Sequence, residues 1–226
     1  MPTFKQLRRR LYRYLRRDRE YLERQLALDT ILGFLVDCRV EGSYLEFGCA
    51  RGSSLIDLFD SSKGHPSLNE MKFFVFDSFE GLPAPQGLDA GDFRRYEQGE
   101  FACDLDQYKI NVRNGGVDLS RVTLTPGWYD KSLNDDLKRR LPIAKASLVL
   151  IDCDLYESTV PVLNFITDYI QDGTVLLFDD WFSYKGRLDQ GEARAFTEWL
   201  TRNPSIQATP YHMIGRTMMS FIMRVG

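Results

Sequence analysis

At 226 residues and 26.2 kDa the chain is long enough for one large domain that buries roughly 70% of its unfolded surface, so its core needs no disulfide or metal staple. A formal net charge of −3 and a pI near 5.5 give no global attraction to nucleic acid or to an anionic membrane. No apolar run reaches the ~18 residues of a spanning helix, the basic N-terminus lacks the apolar segment of a signal peptide, and repeats and low complexity are absent. The cysteines Cys38, Cys49, Cys103 and Cys153 lack CxxC spacing and read as reduced thiols of a cytoplasmic protein.

Taken in order, residues 4 to 37 carry apolar side chains at helical spacing (Phe4, Leu7, Leu11, Tyr14, then Leu22, Leu26, Leu28, Ile31, Leu35) and predict two helices or one broken helix. Its arginines, from Arg8 to Arg19, read first as a solvated face, with a patch for an acidic partner or a cover over an anionic ligand as alternatives. A turn at Glu41 and Gly42 leads into a short strand (Tyr44 to Phe47), a glycine-bracketed turn (Gly48 to Gly52) and a helix opening at Ser53 or Ser54. A second apolar strand, 72 to 77, ends in Asp77. Residues 84 to 100, rich in Gly, Pro and charge, predict a long mobile loop of the kind that is usually functional.

Further along, the sequence predicts a helix from 103 to 112, a strand from 121 to 125 and a helix from 129 to 141. Two continuous apolar runs follow, Leu148 to Ile151 and Val175 to Phe178, joined by a segment long enough for a crossover helix with Ser158 or Thr159 as its cap. A helix from 191 to 202 turns Ala193, Phe196, Trp199 and Leu200 inward. The chain closes with β-rich runs, 206 to 214 and 217 to 225, that read as an antiparallel hairpin.

Each strand of the central βα units ends in a functional-type residue, and parallel strands deliver all of these ends to one edge, where open α/β folds bind ligands. Asp152, Asp154, Asp179 and Asp180 converge there. Four neighbouring carboxylates repel one another unless something positive sits among them. Asp77 stands 29 residues beyond Gly48 at the end of the second strand, where a carboxylate matches the two hydroxyls of a ribose. The turn Glu46-Phe-Gly48-Cys-Ala-Arg-Gly52 lacks the third glycine of a dinucleotide fingerprint and the Lys of a Walker-type loop. Its acid-x-Gly-x-x-x-Gly pattern instead resembles the first motif of class I S-adenosylmethionine-dependent methyltransferases.

EFGCARGSS, FDSFEGLP (Phe76 to Pro83), IDCDLYEST (Ile151 to Thr159) and LLFDDW (Leu176 to Trp181), in this order, resemble the macrocin O-methyltransferase family from about Tyr21 to Phe196. The resemblance implies a single Rossmann-like class I methyltransferase domain over 1–226. Residues 1–40 would be an N-terminal helical cover and 41–226 the core, a seven-stranded mostly parallel sheet with an antiparallel C-terminal hairpin. It also implies that Glu46, Gly48, Gly52 and Ser53 surround the methionine part of S-adenosylmethionine, that Asp77 and Ser78 hold its ribose, and that Asp152, Asp179 and Asp180 ligate Mg²⁺ or a similar divalent ion. Three carboxylates with open positions do suit that hard ion.

Under the same resemblance Asp152 doubles as general base, with His212 and Lys131 as weaker candidates, and Asp154 has a supporting role. The expected activity is Mg²⁺-dependent O-methylation of a sugar or other polyhydroxylated small molecule. No nucleic-acid or membrane partner is expected, and a homodimer through the N-terminal helices is. Trp128, Tyr129, Trp181, Phe182 and Tyr184 are candidates for lining the site. The competing readings are a non-catalytic S-adenosylmethionine-binding protein and a nucleotide-dependent oxidoreductase of related fold.

Overall fold

The computed structural model describes the backbone of residues 4–90 and 96–226 and the side chains of 21–90 and 96–226. The side chains of the Arg8 to Arg19 cluster lie outside the described residues. Helix α1 runs unbroken from Phe4 to Asp37, where the sequence predicts two helices or a broken one. The physical reason is local: its first 29 residues contain no Gly or Pro and are dominated by Leu, Arg, Glu and other good helix formers.

Seven strands form one sheet: β1 (Ser43–Phe47), β2 (Phe73–Asp77), β3 (Val122–Pro126), β4 (Ala146–Ile151), β5 (Val175–Phe178), β6 (Ile206–Ile214) and β7 (Met218–Val225). Their order is β3-β2-β1-β4-β5-β7-β6. The first five are parallel, and β7 inserts antiparallel between β5 and β6. The expected mostly parallel sheet with a terminal antiparallel hairpin is therefore observed.

Alternate residues on each central strand face opposite layers, as the period of two requires. Tyr44, Phe73, Val75, Leu148 and Leu150 pack under α1, α2 (Ser53–Ser62) and α3 (Leu105–Asn114). Leu45, Phe47, Phe74, Phe76, Val149 and Ile151 pack under α5 (Asp135–Arg140), α6 (Tyr156–Ile166) and α7 (Gly191–Arg202). A sheet covered on both faces explains why its strands read as unbroken apolar runs.

Three local expectations differ from the structure. The segment 129 to 141 is two short helices, α4 (Tyr129–Ser132) and α5, because Asn134 between them caps α5 by accepting from the Leu137 N–H at 3.0 Å. Helix α6 begins at Tyr156, ahead of Ser158 and Thr159; its cap comes from a distant segment, described below. Trp181, expected near the site, is 8% exposed and packs in the core against Phe178, Phe196 and Phe221.

All four cysteines are free. Among the described residues no helix is long and apolar enough to cross a membrane. The α7 layer turns on Trp199, which is fully buried, stacks on Phe196 at 5.8 Å and donates its indole N–H to Thr167 Oγ1 at 2.9 Å. Trp199→Ala is expected to cost about 3–5 kcal/mol in a denaturant titration, since a large aromatic leaves a cavity and a buried hydrogen bond goes with it.

Candidate active site

The strand order reverses between β1 and β4, and at the C-terminal edge of that switch point opens a cavity of about 1080 Å³. That exceeds what one drug-sized ligand usually fills, which leaves room for a cofactor and an acceptor side by side. Its walls come from the loops after β1 (Gly48 to Ala50), β2 (Asp77, Ser78), β3 (Gly127 to Lys131), β4 (Asp152 to Leu155) and β5 (Asp179, Asp180).

Gly48 shows why the first loop needs glycine. It lies at φ +85°, and a Cβ built on it would stand 1.8 Å from the carbonyl oxygen of Asp152. The β1 turn and the β4 loop thus touch backbone to backbone. Asp77, half-buried on the neighbouring wall, accepts from the Cys49 N–H at 2.7 Å and from the Phe79 N–H at 2.6 Å, so one carboxylate fixes both the β1 and the β2 loops. The Ser78 hydroxyl donates to the Gly81 carbonyl at 3.0 Å and accepts from the Glu80 N–H at 3.1 Å, which folds the turn beyond it.

Of the six residues expected around the cofactor, Gly48, Asp77 and Ser78 line the cavity. Glu46, Gly52 and Ser53 do not. Gly52 caps α2 at φ +89°, and Ser53, its first residue, is exposed. Glu46 is fully buried beneath the turn on the α1 side of the sheet, where the Tyr44 hydroxyl donates to its Oε2 at 3.0 Å and its Oε1 has no hydrogen-bond partner. Burial pushes its carboxyl up to about 8, against the Tyr44 hydrogen bond and the Arg24 charge, which favour ionisation.

Across the cavity, carboxylate oxygens of Asp152, Asp154 and Asp180 come within 4.8 Å of one another. This trio differs from the expected one by exchanging Asp179 for Asp154. Asp154 sits at φ +60°, a left-handed conformation that Asp tolerates better than most residues. Asp179 lines the same cavity. Burial, then the charges of Asp179, Asp154 and Asp180 in that order, push the Asp152 carboxyl well above the usual carboxylate range. A crowd of this kind fits a hard divalent ion, and the acid-rich walls as a whole fit a cationic sulfonium.

Neither histidine reaches this cluster: His65 pairs with Asp29 at 3.1 Å, and His212 is exposed on β6. Lys131, Trp128 and Tyr129 do line the cavity, and the Tyr129 hydroxyl is anchored on the Phe76 carbonyl at 3.0 Å. Tyr184 lies behind the wall, buried against Leu155 and Tyr96.

Two buried acids escape sequence reading. Asp89, from the 84–90 loop, accepts from the Tyr156 N–H at 2.9 Å and the Glu157 N–H at 3.0 Å, capping α6 across a long sequence separation. Glu192 on α7 bonds two loop amides. An acid in a Gly-rich loop and an acid in a helix's first turn both look like ordinary surface residues; no local pattern reveals such long-range contacts.

The fold and this cavity define a protein of the class I methyltransferase architecture. A family model, macrocin-O-methyltransferase, matches residues 23–203, and the chain belongs to that family. Two similar relatives come from Streptomyces. One is the 8-demethyl-8-(2,3-dimethoxy-alpha-L-rhamnosyl)-tetracenomycin-C 4'-O-methyltransferase of Streptomyces olivaceus, 29% identical over 63% of this chain and 54% of its own length. The other is the demethyldecarbamoylnovobiocin O-methyltransferase of Streptomyces niveus, 28% identical over 63% of this chain and 53% of its own.

The chain's match thus spans about half the length of these curated relatives. Among solved structures, the calicheamicin methyltransferase CalS11 superposes with a TM-score of 0.72 at 23% identity, covering 89% of this chain and 79% of that one. The O-methyltransferase NovP gives 0.71 at 21%, covering 90% and 80%. These likenesses establish the shared fold.

Glu46 makes a testable mark on stability. Because the fold raises its carboxyl from 4.5 to about 8, the native state keeps it protonated while the unfolded chain ionises it. Its contribution is fully present below pH 4.5 and is lost as the pH climbs to about 8. Glu46→Gln, always neutral, should melt close to the parent below pH 4.5 and progressively above it toward pH 8; parallel melting curves across that window would refute the assignment.

Proposed function

We propose that this protein is an S-adenosylmethionine-dependent O-methyltransferase, dependent on Mg²⁺ or a similar divalent ion, acting on a hydroxyl of a sugar or other polyhydroxylated small molecule. The observation that carries this reading is the convergence of the Asp152, Asp154 and Asp180 carboxylates across a single cavity from the Gly48 turn and Asp77. Family membership supports the cofactor, and the two Streptomyces relatives, one named for a rhamnosyl substrate, support a sugar acceptor.

S-adenosylmethionine, when bound, supplies an electrophilic methyl group on a sulfonium. Gly48 lets the chain turn tightly under the methionine end, and the spare lone pairs of the Asp77 carboxylate take the ribose diol. Glu46 and Gly52 shape that turn from beneath, and Ser53 opens the helix that follows. Ser78 braces the loop that closes over the ribose.

A divalent cation, when bound, supplies Lewis acidity that makes an acceptor hydroxyl easier to ionise. Asp152 and Asp180 would hold it; the resemblance gives the third place to Asp179, and the approach of the carboxylates supports Asp154 there. Asp152 takes the acceptor's proton at a carboxylate oxygen, and the wall of Trp128, Tyr129 and Lys131 orients the acceptor beside it. Holding both reactants side by side in one cavity supplies much of the rate advantage. A homodimer through α1 belongs to the same reading, supported by its exposed Tyr21, Leu22 and Leu26.

Calorimetry on the whole chain should show S-adenosylmethionine binding, and turnover on a glycosylated acceptor should vanish with a chelator and return with Mg²⁺. Asp152→Asn should lower turnover by at least about a hundredfold, the low end for loss of a general base. A chain that binds no S-adenosylmethionine, or an Asp152→Asn variant with intact metal-dependent turnover, would sink the mechanism. Comparing Asp154→Asn with Asp179→Asn for metal affinity identifies the third ligand.

A further inference from the structure

Glu192 stands in the first turn of α7 and has no exposed surface. An acid at that position ordinarily reaches solvent and complements the helix dipole. Here the side chain turns into the protein, where its Oε1 accepts from the Cys153 N–H at 3.1 Å and its Oε2 from the Asp180 N–H at 3.0 Å. Those two amides lie just beyond β4 and β5, where the parallel ladder ends and backbone groups lose their sheet partners. One carboxylate therefore spans the gap between the loops that carry Asp152 and Asp154 on one side and Asp180 on the other.

The start of α7 is itself fixed on the same cluster. Gly191 lies at φ +52°, and a Cβ there would come within 2.3 Å of the Tyr184 ring. The Tyr184 hydroxyl in turn donates to the Asp154 carbonyl at 3.2 Å. The N-terminus of α7 thus grips the backbone around all three converging acids from behind. Packing alone does not account for a carboxylate here: it sits in the dry interior near Asp179 and Asp180, where a Leu or Met of similar size fills space without the electrostatic cost.

We propose that Glu192 is a positioning residue of the divalent-cation site: its two hydrogen bonds set the spacing between the β4 and β5 loops, and so bring Asp152, Asp154 and Asp180 to ligating distance. This rests on the metal reading given above. Glu192→Gln keeps the size of the side chain but turns an amide N–H toward one of the two donors, so one tether is lost.

The test is Mn²⁺ binding, measured by electron paramagnetic resonance on the full chain with the metal alone. Glu192→Gln should bind Mn²⁺ about 10- to 100-fold more weakly than the parent, the usual effect of removing a group that orients ligands. Its affinity for S-adenosylmethionine without metal should stay at the parent's value. Phe196→Leu, which loosens the same helix in the core without touching either amide, should lower the melting temperature and leave Mn²⁺ affinity intact.

A folded Glu192→Gln protein with parental Mn²⁺ affinity overturns the proposal, and so does an equal loss of affinity in Phe196→Leu. If Glu192→Gln does not fold, Glu192→Asp, one methylene shorter, is judged by the same criteria. Failure of both to fold while Phe196→Leu folds assigns Glu192 to general stability and overturns the proposal as well. A parent that binds no Mn²⁺ overturns the metal reading itself, a result distinct from parental affinity in the variant.

Discussion

Everything at the functional edge depends on how closely β1 and β4 approach where the sheet changes direction. Beyond the paired strands, the Asp152 N–H still donates to the Phe47 carbonyl at 2.8 Å, and the Asp179 N–H to the Ile151 carbonyl at 3.0 Å. The ladder thus runs on into the loops for one more residue on each side. Gly48 makes this possible, because any side chain there would collide with the Asp152 carbonyl. The turn assigned to the cofactor and the loop assigned to the metal thus meet backbone to backbone at Gly48 and Asp152. Precision of that order is what a reaction between two bound partners requires.

The loops beyond that junction are held by a repeated device, a carboxylate that accepts from two backbone amides. Asp77 joins the β1 turn to the β2 loop through Cys49 and Phe79. Glu192 joins the β4 and β5 loops through Cys153 and Asp180. Asp89 joins the 84–90 segment to the head of α6 through Tyr156 and Glu157. Each supplies acceptors to donors that the ends of strands and helices leave without regular partners. This distinguishes them from Asp152, Asp154 and Asp180, whose carboxylates meet one another.

The fold was legible because burial on both faces writes itself into the strands as uninterrupted apolar runs, and the crossover lengths then dictate parallel pairing. The acids at strand ends were legible for the same reason: once strand direction is known, their edge is known. What escaped the sequence depends on side-chain direction or on distant contacts. Trp181 follows the acids directly, yet the chain turns it back under β7 into an aromatic core. The crossover helix begins before Ser158 because its cap is Asp89, far away in sequence. The choice between Asp154 and Asp179 turns on one left-handed residue, which composition and spacing do not encode.

Glu46 and Asp77 look alike in sequence, each an acid on a short apolar strand beside the glycine turn, but the sheet gives them different chemistry. Asp77 is the last residue of β2, where the cavity and two amide donors are both within reach of its carboxylate. Glu46 sits inside β1, two residues before Gly48, and the alternation of the strand sends it to the α1 layer, where burial dominates and one oxygen finds no donor. With its carboxyl pushed up to about 8, the neutral acid prevails near pH 7. The turn is therefore underlain by a buried acid that the fold keeps neutral and flanked by one whose carboxylate is tied to two amides.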